Sequence, residues 1–317
     1  MSLRFARPLP GEQALPPLRG EGPFDGEKLR SWAGRRFFLP PGDPRLKNIH
    51  DGGSAPSPPL DNLVGAVRYW EEHPDWMAFL HPDSPSHTDK MVERALYLSR
   101  WESHLPQGLR VLDLGGGVGR FTTWLLDRGC QVELVDPDLR SLWQAVSSAA
   151  GRAGALDVHW TTGELLPDLP PFDVVIAAEV LCYVEDPARV IQGVRKLLRP
   201  GGLFLMSVEA RYGWALSSDV YEGTIDAFLS DGVVHVPGDR WVRTYTEDSV
   251  KACLSEMEVL EIVPSHYAYS GPFENAAGPL GVEQALALEI RLREHAIGRN
   301  LNRAWMAIAR EPGRMVS

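Results

Sequence analysis

The sequence has 317 residues, 44% hydrophobic and 23% charged, close to the averages of globular proteins, so a sizeable core is available and wholesale disorder is disfavoured. Lys and Arg number 32 against 42 Asp and Glu, a net charge of −10 that repels phosphate backbones and removes nucleic acid from the expected partners. Cys130, Cys182 and Cys253 are odd in number and far apart, so no disulfide framework or CxxC pair is expected and a reducing, cytoplasmic compartment fits best.

Arg4 and Arg7 run into Pro8 and Pro10 before any apolar stretch develops, so no signal peptide is expected; nor is there the run of about 18 apolar residues that a membrane span needs. Residues 1 to about 60 are dense in proline and glycine and read as an irregular arm, in which Phe24, Trp32, Phe37 and Phe38 predict local packing. Helical patterns follow near 61–80 and 86–105, the second with Met91, Ala95, Leu98 and Trp101 at three- and four-residue steps. The expected division is an arm with cap helices at 1–85 and a single larger domain at 86–317.

From about residue 109, short β-rich runs alternate with helical ones, the pattern of βαβ units on a parallel sheet. Strands are predicted at 110–114, 131–135, 157–161, 172–178 and 202–208, with helices near 118–128, 138–150 and 187–198. An aromatic-rich insertion at 210–243 precedes a helix opening at Thr246, a strand at 258–263, a helix within 282–296 and a last strand at 303–309.

The segment Val111-Leu-Asp-Leu-Gly-Gly-Gly-Val-Gly-Arg-Phe121 carries most information: a strand runs into glycines and then a helix, where backbone N–H groups and close approach suit a nucleotide. The dinucleotide pattern G-x-G-x-x-G fails, because Arg120 stands where its last glycine would fall. D-x-G-x-G-x-G fits instead, with Asp113, Gly115, Gly117 and Gly119 in register. An acidic residue two places before the first glycine suits a ligand with an ammonium and a sulfonium, namely S-adenosylmethionine. Asp136, at the carboxyl end of the second strand, can accept both ribose hydroxyls, while Asp138 suits a helix cap.

These runs resemble the first motif and acidic second-strand end of class I S-adenosylmethionine-dependent methyltransferases. Thr162-Gly-Glu-Leu-Leu-Pro167, Phe172 through Pro187, and Leu197 through Leu205 resemble that family's third, fourth and fifth strand segments, so the likeness runs from about Leu109 to Glu209. Tyr245–Val263 and Arg303–Arg310 are similar to its last helix and strand pair. The resemblance implies an α/β, Rossmann-like, doubly wound sheet of seven mostly parallel strands with an antiparallel last strand, plus the N-terminal extension and a lid insertion. It also implies that Gly163 and Glu164 meet the adenine, with Leu165 and Leu181 sandwiching the purine, and that Glu179 lines the methionine end. Ubiquinone-biosynthesis relatives carry Glu-x-x-Glu-His at the fourth strand and can hold a divalent cation there. Here the run is Glu179-Val-Leu-Cys182-Tyr183, so no such metal site is expected.

Methyl transfer is an in-line displacement in which the protein holds the nucleophile about 3 Å from the methyl and excludes water. The acceptor is expected to be a small molecule, methylated on oxygen or nitrogen, held by the arm and by the segments 210–243 and 265–299. Tyr212, Trp214, Tyr221, Phe228, His235 and Trp241 with Arg211, Arg240 and Arg243 suit a flat or apolar body bearing an anionic group. His235 is the leading candidate base, with Tyr183, Tyr245 and His266 behind it; Arg94, Tyr97 or Arg100 is a candidate for the cofactor carboxylate. The arm is also the candidate surface for a homodimer. Alternatives are a carbon acceptor, a tRNA or protein substrate, and a binding protein that kept the fold without the chemistry.

Overall fold

The computed structural model describes residues 80–84, 87–217, 224–235, 241–269, 271–278, 280–295 and 301–313. The arm, its four aromatics, the 61–79 part of the first helical pattern, Tyr221 and Arg240 lie outside these residues. Helix α1 spans His87–Trp101, followed by β1 Arg110–Leu114, α2 Arg120–Asp127, β2 Gln131–Asp136, α3 Leu139–Ala149, β3 Ala155–Trp160, β4 Phe172–Ala178, α4 Pro187–Leu197 and β5 Leu198–Glu209. The insertion folds as α5 Arg211–Ser217, α6 Thr224–Leu229 and a hairpin of β6 Val233–His235 with β7 Trp241–Arg243. Then come α7 Glu247–Cys253, β8 Glu258–Ser265, α8 Glu274–Ala277, α9 Val282–Glu294 and β9 Ala304–Arg310.

Seven strands make one sheet in the order β3-β2-β1-β4-β5-β9-β8. The pairs from β3 through β5 are parallel, and β9 runs antiparallel to both β5 and β8, as the resemblance implied. Strand alternation decides which helices cover which face. Val111, Val174 and Ile176 pack with Tyr97 and Trp101 of α1 and Phe121 and Leu125 of α2. Their neighbours Leu112, Val175 and Ala177 point the other way, onto Val190, Val194 and Leu197 of α4 and Val250 of α7. Both faces are covered, so these strands read as near-continuous apolar runs.

Local chemistry sets the helix starts. Asp138 caps α3 by accepting from the Arg140 and Ser141 backbone N–H groups. Asp186 caps α4, with Pro187 at its first position, and Thr246 and Ser249 form a reciprocal capping box on α7. β1 lies between β2 and β4, so the chain leaves it first to one side and later to the other. A crevice forms at the carboxyl ends of the strands at such a switch point, and the glycine turn sits there.

Candidate active site

The glycine run has the backbone its spacing requires. Gly115, Gly117 and Gly119 have φ of +64°, +56° and +93°, a region that L side chains rarely adopt. A Cβ on Gly115 would stand 2.5 Å from Val180 Cγ2, whereas one on Gly117 would meet nothing within 4 Å. The space over Gly117 is therefore where a ligand can approach the backbone. Gly117→Ala is expected to cost about 1–2 kcal/mol, the left-handed strain alone, and Gly115→Ala more, since Val180 must also move; thermal denaturation of the two variants checks the order.

Asp113 and Asp136 flank this turn in different roles. Asp113 is buried, and its Oδ2 accepts from Thr122 N at 3.1 Å and Thr122 Oγ1 at 2.6 Å. It thus ties the end of β1 to the first turn of α2; these bonds give it a bracing role that the sequence reading, which aimed it at a cationic ligand, did not foresee. Burial, opposed by the Thr122 bonds and by Arg120, leaves its carboxyl raised to about 6. Asp136 Oδ2 accepts from Gly117 N at 2.9 Å and Oδ1 from Asp138 N at 2.8 Å, so its carboxylate is fixed against the turn. Burial first, then the charge of Asp138, pushes it up to about 7 against the pull of those two N–H groups.

Glu164 follows β3 in a short turn, and its Oε1 accepts from Glu185 N at 3.0 Å, tying the loops after β3 and β4 together. Gly163 is buried beneath it, where an added Cβ would press on Val190 at 3.2 Å. Leu165 is exposed beside Glu164, but Leu181 is fully buried among core side chains, so it does not form the second wall of a purine slot. An apolar residue just past a strand reads the same from sequence whether it faces core or cleft.

Glu179, at the end of β4, has φ of +61°, and its N–H points at Ser207. Its Oε1 accepts from the buried Tyr97 hydroxyl at 2.6 Å. Tyr97 thus reaches the site through Glu179, while Arg100 pairs with Glu261 on β8 instead. Burial, followed by Glu179 and Glu93, holds the Tyr97 hydroxyl well above its usual range, so it stays a donor. Arg120, directly after the glycine run, pairs with Glu93 of α1 and stands over the Tyr97 ring. Sequence reasoning missed Glu93 and Arg120: their pairing joins two helices, and no local spacing reveals it.

The candidate bases separate. Tyr245 is buried and its hydroxyl donates to Leu181 O at 2.9 Å. Burial, with Cys182 next, holds it far above the tyrosine range, so the hydroxyl stays protonated and engaged with that carbonyl. Tyr245→Phe is expected to cost about 1 kcal/mol in a denaturant titration. His235 is exposed on the hairpin, which reaches the loop after β4 through Arg243 N bonding Cys182 O at 2.9 Å. Tyr183 is half-buried in that loop. Within the insertion, Trp214 meets Phe228 edge-on, and the Arg211 guanidinium bonds Phe228 O and Asp231 O. That arginine is spent on holding the insertion together.

Comparison with known proteins bears on this geometry. The sequence matches the methyltransferase domain family over residues 87–257. It is 32% identical over 146 residues to a ubiquinone biosynthesis O-methyltransferase of Cereibacter sphaeroides, covering 45% of this chain and 59% of that protein. The chain thus spans little more than half the length of that relative. Among solved structures, an S-adenosylmethionine-dependent methyltransferase from Mesorhizobium loti shares the fold with a TM-score of 0.51 at 23% identity, over 69% of this chain and 99% of that one. Magnesium protoporphyrin IX methyltransferase from Synechocystis PCC 6803 does so with a TM-score of 0.51 at 15% identity, over 79% and 99%. With more than half of its residues matched, the chain belongs to the methyltransferase domain family.

Proposed function

We propose that the protein transfers the methyl group of S-adenosylmethionine to an oxygen or nitrogen of a small molecule. The observation that carries this reading is the Asp136 carboxylate, locked onto the Gly117 N–H at the switch point beneath open space. A ribose laid over Gly117 would meet that carboxylate, and Glu164, Gly163 and the exposed Leu165 stand next along the strand ends for the adenine. Gly115 and Gly119 shape the turn, Asp113 braces it, and Glu179 with Tyr97 closes the methionine end. The chemistry needs little from the protein beyond orientation, dryness and, for a hydroxyl acceptor, a proton acceptor. His235 and Tyr183 remain candidates for that last role.

The acceptor is proposed to be flat or apolar, with the insertion as its cover: Tyr212 is 53% exposed there and Trp241 half-buried. A cytoplasmic location and a homodimer belong to the same proposal. Among the described residues no helix is long and apolar enough to cross a membrane. The test is transfer of tritiated methyl from S-adenosylmethionine into fractionated small metabolites. Label in a low-molecular-weight product supports the reading; label only in tRNA or protein, or none at all, overturns it.

A further inference from the structure

We propose that Glu93, Glu179 and His266 form a site for one divalent cation of the class running from Mn2+ to Zn2+. One carboxylate oxygen from each glutamate and one imidazole nitrogen all lie within 4.8 Å of one another. A single ion at bond lengths of about 2.0–2.3 Å holds its ligand atoms about 3–4 Å apart, so the three side chains must draw together round it. Two carboxylates and one imidazole are a mixed oxygen and nitrogen set, which suits that class better than Mg2+. The three ligands come from α1, the end of β4 and the segment after β8, so the site depends on the tertiary fold.

Three observations separate this cluster from an ordinary buried ion pair. His266 is 2% exposed, its Nδ1 meets Ser265 Oγ at 3.1 Å, and its Nε2 has no hydrogen-bond partner among the described residues. A buried imidazole nitrogen left so destabilises the fold, a penalty that a metal bond would remove. Second, Glu179 and His266 are the two non-glycine residues with positive φ among those described, both at 61°, and both belong to this cluster. Such strain persists where surrounding structure holds it, and it gathers at functional sites. Third, the residues behind the ligands hold their orientation. The Tyr97 hydroxyl fixes Glu179, the Arg303 N–H donates to His266 O at 2.8 Å, and Glu289 Oε1 accepts from the N–H groups of Tyr267, Ala268 and Tyr269.

The charges define the competition. Glu93 is already engaged by two cations, Lys90 and Arg120. Lys90 Nζ holds Glu93 Oε2 at 2.7 Å and Arg120 pairs with the same oxygen, so an incoming ion competes with both cations. Neither ligand beyond Glu179 is legible from the strand motif, because Glu93 and His266 lie far from it in sequence on either side.

The inference stands on this geometry, and Glu179 is the one ligand it shares with the proposed cofactor site. Chelator-treated full-length protein is titrated with Mn2+, followed by calorimetry and by the resonance signal of free Mn2+. One equivalent is expected to bind, with affinity at least tenfold lower in Glu93→Gln and in His266→Asn; asparagine tolerates the left-handed backbone and so spares the fold. Should Glu93→Gln fail to fold, His266→Asn and Glu179→Gln give the same reading. No binding at millimolar Mn2+, or binding equal in wild type and folded variants, overturns the site. S-adenosylmethionine titrated separately into wild type keeps the two claims apart, since either can fail alone.

Discussion

Asp136→Ala is expected to weaken S-adenosylmethionine binding by at least tenfold, since a charge-assisted bidentate contact contributes about 1.5–3 kcal/mol. Asp136→Asn should retain part of the loss, because the amide keeps one acceptor for the Gly117 N–H but loses the charge. The wild type should show a matching pH dependence. Burial and Asp138 hold the free carboxyl at about 7, and in the proposed complex the ribose hydroxyls would donate to the ionised form. Affinity should therefore fall as the pH drops below about 7, approaching tenfold per unit, and flatten above it. For folding the sign is opposite. A carboxyl raised from 3.8 to about 7 contributes stability that is fully present below its unfolded value and lost as pH rises through about 7. Calorimetry across pH 5.5–8.5 separates the effects, and in Asp136→Ala the dependence centred near pH 7 should disappear, leaving the part below about pH 6 that belongs to Asp113.

Glu289→Ala is the change expected to damage the fold most. This fully buried carboxylate on α9 holds three successive backbone N–H groups, at 2.8, 2.8 and 3.2 Å. Truncation strands all three in an interior that also holds the buried Tyr267 ring, a loss of about 3–5 kcal/mol. Glu289→Gln, which keeps the accepting oxygen, should recover much of it. Guanidinium midpoints of the three proteins check the order. A midpoint for Glu289→Ala within error of wild type would mean that the 267–269 segment is held by other contacts.

What the sequence discloses follows from how local each interaction is. The glycine register is legible because every second residue must be glycine for the turn to take its positive φ, and that demand falls within five consecutive positions. Asp136 is legible because a strand's end fixes where its last side chain lies. The alternation Val111/Leu112 and Val174/Val175 gives the two-faced sheet for the same reason. Neither spacing nor residue type says whether a side chain such as Tyr245 or Leu181 turns to core or cleft. In the structure the Tyr245 hydroxyl meets the Leu181 carbonyl, and both side chains belong to one core. Glu93, Arg120 and Glu289 act across elements far apart in sequence, so no pattern in the chain announces them.

The proposed nucleoside position is over Gly117, against Asp136. The most direct measurement is calorimetric titration of the wild-type protein with S-adenosylmethionine and, separately, with NADH. One equivalent of S-adenosylmethionine with no NADH heat is the predicted result. NADH heat without S-adenosylmethionine binding would contradict the claim.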